Sequence, residues 1–256
     1  MQPRKADPDR NYTIKTIDKA LKLLELLAES EDGASLTQLA LQTDLSNNGA
    51  FRILQTMNAK GLVEQTASGA YRLGLCSVTL GQKLLKNMSV VNYAHPILEN
   101  LARTHEEAVY LTVLKDDEVL FLDMVDCCQQ IKAEPLLGQL VPFFSNAAGK
   151  VMRSFDSQDL LKRMLKRKNN SRDLEKLNQE LNEIRAKGVA VESGGLGDGI
   201  ISVAVAIRDY TGKVVGAITF IVPSFRMLAG RLEKEIIPSL KEGAEILSGK
   251  FGYCPA

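Results

Sequence analysis

The segment from residue 34 to residue 74 constrains this chain more than any other. Ala34-Ser35-Leu36-Thr37-Gln38-Leu39-Ala40 predicts a short helix, and Asp44-Leu45-Ser46 a tight turn whose serine suits a helix N-cap. The helix that follows runs from about Asn47 to Lys60 and stops at Gly61, the residue type favoured just past a helix C-terminus. Leu62-Val63-Glu64-Gln65 and Tyr71-Arg72-Leu73 read as two short strands around Ser68-Gly69, a hairpin wing. Helix, turn, helix and wing in this order form a module that reads double-stranded DNA through its second helix.

The faces of that second helix fit the reading. At about 100° per residue, Ala50, Ile53, Leu54 and Met57 fall on one side, ready to bury against Leu36 and Leu39. The other side carries Asn48, Phe51, Arg52, Gln55 and Ala59. Asn and Gln can pair bidentately with adenine, and Arg with guanine or phosphate. Ser46, Asn47, Asn48, Phe51, Arg52 and Gln55, with Arg72 in the wing, are the candidate DNA contacts.

Charge points to more than one copy. Residues 1–74 hold nine Lys and Arg against nine Asp and Glu, and the whole chain carries a formal net charge of +1. Phosphate contacts supply much of DNA affinity. A neutral head therefore needs a homodimer or homotetramer to bind an operator well. With 45% hydrophobic and 25% charged residues, the 256-residue chain has the composition of a soluble globular protein. No stretch suits a bilayer span, and Met1–Arg10 lacks the apolar core of a signal peptide, so a cytoplasmic location is expected.

Residues 1–12 read as a flexible tail, 13–74 as the DNA-binding domain, 75–92 as a linker helix and 93–256 as a second domain. Thr13 to Ala28 predicts a first helix with Ile17, Leu21, Leu24 and Leu27 at helical spacing, and Ala20 and Leu23 widening the stripe. In the second domain, Pro96 is expected at the first position of a helix over 97–105. Strands are expected over 108–114, 118–125, 138–144, 189–192, 200–207 and 214–222. Helices are expected over 146–155, 157–168, 173–187 and 233–250. Strands joined by hairpins and flanked by helices make an antiparallel α+β domain. The basic run Lys162, Arg163, Lys166, Arg167, Lys168 and Arg172 reads as a solvated helix face.

Taken together these residues resemble the IclR family of bacterial transcription factors. Ser46-Asn47-Asn48-Gly49-Ala50-Phe51-Arg52-Ile53-Leu54 stands at the family's recognition-helix start, and Gly61-Leu62-Val63-Glu64 and Tyr71-Arg72-Leu73-Gly74 match its wing. Phe144-Ser145-Asn146-Ala147-Ala148-Gly149-Lys150, Gly188-Val189-Ala190-Val191-Glu192, Gly199 and Gly212-Lys213-Val214-Val215-Gly216-Ala217 match its C-terminal core. The likeness covers roughly residues 13–253.

The resemblance implies a GAF-like second domain that binds a small, usually acidic effector. Carried over residue by residue, the effector contacts fall on Ala147, Ala148, Glu192, Ser202, Thr219 and Ile221. The residues themselves agree: Asn146 to Lys150 would put amides and a helix dipole where a carboxylate can bind. Tight helix–sheet packing is the other use of such small residues. Several positions depart from the family. Ser193-Gly194-Gly195 replace acidic residues, Ser202 stands for a common cysteine, and Ile221 for a small hydroxyl. Asn47-Asn48-Gly49 replace the usual lysine, serine and threonine. Ile221 and the glycine-rich segment suggest a larger or more apolar acid than glyoxylate, such as an aromatic one.

Two rival readings remain at this point. One is an enzyme with an accessory DNA head; against it, the chain has no GxSxG and no P-loop. The other is a thiol redox sensor built on Cys127 and Cys128. No metal or other cofactor is expected, since His95 and His105 lie far from any paired thiols.

Overall fold

The computed structural model describes residues 14–30, 32–155 and 171–254, without the side chains of 171–175. The expected tail, the helix over 157–168, and the basic run with its Arg172 side chain lie outside the described residues. The chain divides into two compact units between Asn87 and Met88.

The first unit holds α1 (Lys15–Ala28), α2 (Leu36–Gln42), α3 (Asn47–Ala59), β1 (Val63–Gln65), β2 (Tyr71–Leu73) and α4 (Leu75–Asn87). Ser35 caps α2 in a reciprocal box with Gln38. Thr43 Oγ1 donates to Leu39 O at 2.7 Å, and Asp44 takes a left-handed φ of 50°, which turns the chain into α3. Ser46 Oγ accepts from the Gly49 amide at 3.1 Å. Gly61, at φ 70°, turns the chain out of α3 into β1 as expected of glycine. Leu23, Leu27, Leu39, Leu54, Met57, Val63 and Tyr71 form the core. The α1 stripe differs from the sequence expectation. Leu23 and Leu27 are buried, but Ile17 and Leu21 are more than half exposed, because the packed face is rotated toward Leu23.

The second unit is built on a six-stranded antiparallel sheet in the order β5-β4-β3-β8-β7-β6. Its strands are β3 (Val109–Lys115), β4 (Glu118–Val125), β5 (Leu140–Pro142), β6 (Ala190–Ser193), β7 (Ile200–Arg208) and β8 (Val214–Pro223). α5 (Ser89–His105) and α8 (Ile237–Lys250) cover one face with Val203, Val205, Ile218 and Phe220 beneath them. α6 (Ala147–Ser154) and α7 (Ser171–Lys187) cover the other, over Ala204, Ala206, Ala217 and Ile221.

Boundaries shift in four places. The expected linker helix over 75–92 is two helices, because Met88 is extended and becomes the N-cap of α5. Pro96 lies inside α5 rather than at its start; it is on the exposed side, while Ala94, Leu98, Leu101 and Ala102 anchor the buried side. The strand expected over 138–144 keeps only Leu140–Pro142 before a 3-10 turn at Phe143–Ser145. The last helix begins at Ile237, after a wider π-type turn at Leu232–Ile236.

Glu107 is a buried fastening that sequence reading passed over. It is 1% exposed, and both its carboxylate oxygens accept from Arg226, at 2.8 and 2.7 Å. Arg231 adds a third bond at 3.0 Å. The partners are more than a hundred residues apart in sequence, so no local pattern announces them.

His105 lies nearby, 8% exposed, with its ring edge-on to Phe220. Its Nε2 has no hydrogen-bond partner among the described residues. Burial lowers its pKa below the ordinary 6.5; the Arg231 charge adds to this, against Glu235 and Glu107. A lowered histidine pKa means the unfolded chain takes up the proton first as pH falls. Stability contributed by neutral His105 is therefore present above pH 6.5 and is lost below it. Thermal melts between roughly pH 7.5 and roughly pH 5.5 are expected to show a smaller fall in Tm for His105→Phe than for wild type. Equal falls would remove His105 from this account.

Candidate nucleic-acid interface and effector site

In the first unit, Ser46, Asn47, Asn48, Phe51 and Arg52 are exposed on α3 and the turn before it, and Gln55 is half-buried. Ala50, Leu54 and Met57 are buried on the opposite side, with Ile53 only partly so. Phe51 is 44% exposed, on the same side as Asn48 and Arg52. In the wing, Val63 and Tyr71 turn inward while Glu64 and Arg72 pair across the register on the outer side. Arg72 Nε donates to Glu64 Oε1 at 2.6 Å, a partner that the sequence reading did not assign. Cross-strand register, which depends on the turn, was the missing information.

In the second unit, Glu192 on β6, Ser202 on β7 and Ile221 on β8 occupy one register row across the sheet. Thr219 stands two residues along β8 on the same face, level with Ala204 and with Tyr110 on β3. The N-terminus of α6 sits on this row. Ser202 Oγ accepts from the Ala147 amide at 3.1 Å, and Asn146 Oδ1 accepts from the Gly149 amide at 2.8 Å. The Ala148 amide, between them, is the first-turn donor that neither cap engages. The turn before α6 folds back closely enough to require Gly149, where a Cβ would lie 2.3 Å from Phe143 O. Ala147, Ala148, Ser202, Thr219 and Ile221 are all within 2% of full burial. Thr219 Oγ1 has no hydrogen-bond partner among the described residues.

Lys150, one turn into α6, is 7% exposed and donates to Glu192 and, at 2.7 Å, to Glu180 on α7. Burial works to lower its pKa, but the two carboxylate hydrogen bonds and their charges outweigh it and the pKa is raised. The ammonium therefore stays charged and offsets Glu192. The sequence placed Lys150 near the helix N-terminus but could not show that its charge is already taken. Cys127 is buried and its neighbour Cys128 exposed, both as free thiols. The two sulfurs thus lie in different surroundings.

A winged helix-turn-helix joined to a separate antiparallel α+β domain is the architecture of a DNA-binding regulator. The comparisons agree. The family model for the IclR helix-turn-helix domain matches residues 16–67, and that for the bacterial transcriptional regulator IclR C-terminal domain matches residues 82–249. The chain belongs to the IclR family of transcriptional regulators, whose members matched here are not enzymes. It is 26% identical over 257 residues to the HTH-type transcriptional regulator KdgR of Escherichia coli, covering 97% of each chain. It is 31% identical over 170 residues to the transcriptional repressor IclR of the same organism, covering 65% of this chain and 62% of that one. A crystal structure of an IclR homolog from Microbacterium hydrocarbonoxydans complexed with 4-hydroxybenzoate superposes with a TM-score of 0.78 at 19% identity, covering 93% and 99% of the chains. Among the described residues no helix is long and apolar enough to cross a membrane.

Proposed function

We propose that this regulator is a cytoplasmic repressor of a catabolic pathway, binding operator DNA as a homodimer or homotetramer and responding to a small carboxylic acid held in its second unit. The observation that carries the effector reading is Thr219. A buried hydroxyl left without a partner costs about 1–3 kcal/mol, and this one faces the same side of the sheet as the α6 N-terminus. A ligand that bonds to it removes that cost. The carboxylate lies against the Ala148 amide and the positive end of α6. Lys150 offsets the charge of Glu192, which reads a polar group away from the acid end. The apolar surroundings, including Ile221 and Tyr110, suit an aromatic acid, and the fold relative complexed with 4-hydroxybenzoate supports that class.

Operator contacts are assigned to Ser46, Asn47, Asn48, Phe51, Arg52 and Gln55, with Arg72 reaching a phosphate. The repressor reading draws on the E. coli repressor among its relatives. The oligomer reading draws on α4, in which no residue is buried. Leu75, Val78, Leu80 and Leu84 are each more than half exposed, and a short helix with nothing buried gains stability from a second copy.

Three outcomes follow. Arg52→Ala is expected to weaken binding to its own promoter by about 1–3 kcal/mol with no change in Tm; gel shifts equal to wild type would move the recognition face. Light scattering at micromolar concentration is expected to show a dimer or larger, and a monomer that binds tightly would refute the oligomer. Thr219→Val keeps the shape and removes the stranded hydroxyl, so Tm is expected to rise, by about 1 kcal/mol of stability. In a thermal-shift screen of small carboxylic acids, the acid that stabilises wild type is expected to stabilise this variant less. Equal stabilisation would place the ligand elsewhere.

A further inference from the structure

The wing holds an unused cation and its own quencher. Glu64 and Arg72 face one another across β1 and β2 on the outer side of the hairpin, with side chains 41% and 60% exposed. Only Arg72 Nε is engaged, at 2.6 Å; the terminal guanidinium nitrogens have no protein partner among the described residues. Between residues 45 and 74 the other cations are Arg52 and Lys60, and Glu64 is the only acid. The single negative charge of this segment is therefore placed on the one cation that the wing presents.

An exposed pair of this kind contributes little to stability. Its electrostatic effect near a polyanion is larger. An arginine beside DNA releases counterions and raises affinity, and a carboxylate beside it cancels much of that gain. Arg72 can keep Nε on Glu64 while its free nitrogens meet a phosphate, or exchange the carboxylate for the phosphate altogether. Either way the wing's attraction at a distance is close to nil, and its cation counts only after contact.

We propose that Glu64 is a charge brake on the wing, one that suppresses binding to random DNA and lets Arg72 contribute only where α3 has already seated in the groove. The inference rests on Arg72 as a phosphate contact, and the test separates the two. The full-length protein is titrated with a short random-sequence duplex across a salt series, as wild type, Glu64→Gln, Arg72→Gln and Glu29→Gln. Glu29 caps the end of α1, outside the wing, and its variant changes net charge equally. Glu64→Gln is expected to bind random duplex about threefold to tenfold more tightly at low salt, with the slope of log K against log salt steeper by about 0.9 for each wing engaged. Glu29→Gln is expected to give less than half that gain, and the preference for promoter over random duplex is expected to fall in Glu64→Gln. Unchanged or weaker binding by Glu64→Gln, or an equal gain in Glu29→Gln, overturns the brake. If Arg72→Gln binds promoter duplex as wild type does, the wing contact itself fails. Promoter binding weakened in Arg72→Gln, beside an unimproved Glu64→Gln on random duplex, keeps the contact and removes only the brake.

Discussion

A sheet buried on both faces has to be covered twice, and the β7–β8 hairpin imposes that requirement here. From Ser202 to Ile207 and from Gly216 to Pro223 nearly every residue is buried, whichever way its side chain points. One face demands α5 and α8, the other α6 and α7. The side chains beneath α6 are small, chiefly Ala204, Ala206 and Ala217, so this helix can approach closely. Close approach is what brings the Ala147 amide onto Ser202 Oγ, while Gly149 is required by the backbone of Phe143 in the turn before α6. The candidate effector site is thus a consequence of how the sheet is roofed.

Several charges at the candidate sites are already paired within the protein. Lys150 is held by Glu180 and Glu192, Glu107 by Arg226 and Arg231, and Arg72 by Glu64. The buried groups would be costly to leave single, since an unpaired charge away from water is strongly destabilising. The same pairing leaves a near-neutral surface from which to approach DNA. In the proposed reading, recognition depends on short-range contacts along α3 and on the number of heads acting together, and regulation requires the effector to favour one arrangement of those heads over another.

The helix-turn-helix was legible because its signals are local. Ser46 caps α3, Gly61 ends it, and both roles follow from one or two neighbouring residues. The strand pairs 109–115 with 118–125 and 200–208 with 214–223 were also near their expected places, since alternation and tight turns mark them. Expectations failed where packing overrules propensity. Pro96 is carried through α5 because the helix is anchored on its other side. Met88 breaks the linker helix without any glycine or proline to announce it.

By itself, the sequence determined most element types, the order of the head and the family. These depend on periodicity and on caps, which act within a few residues. Tertiary structure alone decided that Glu192, Ser202 and Ile221 share a row beneath α6, that Thr219 is left without a partner, and that Lys150 and Arg72 are already paired. Those facts depend on strand register and on contacts between residues up to more than fifty positions apart. A one-residue slip would turn each side chain to the other face, and no local pattern in the chain records which register wins.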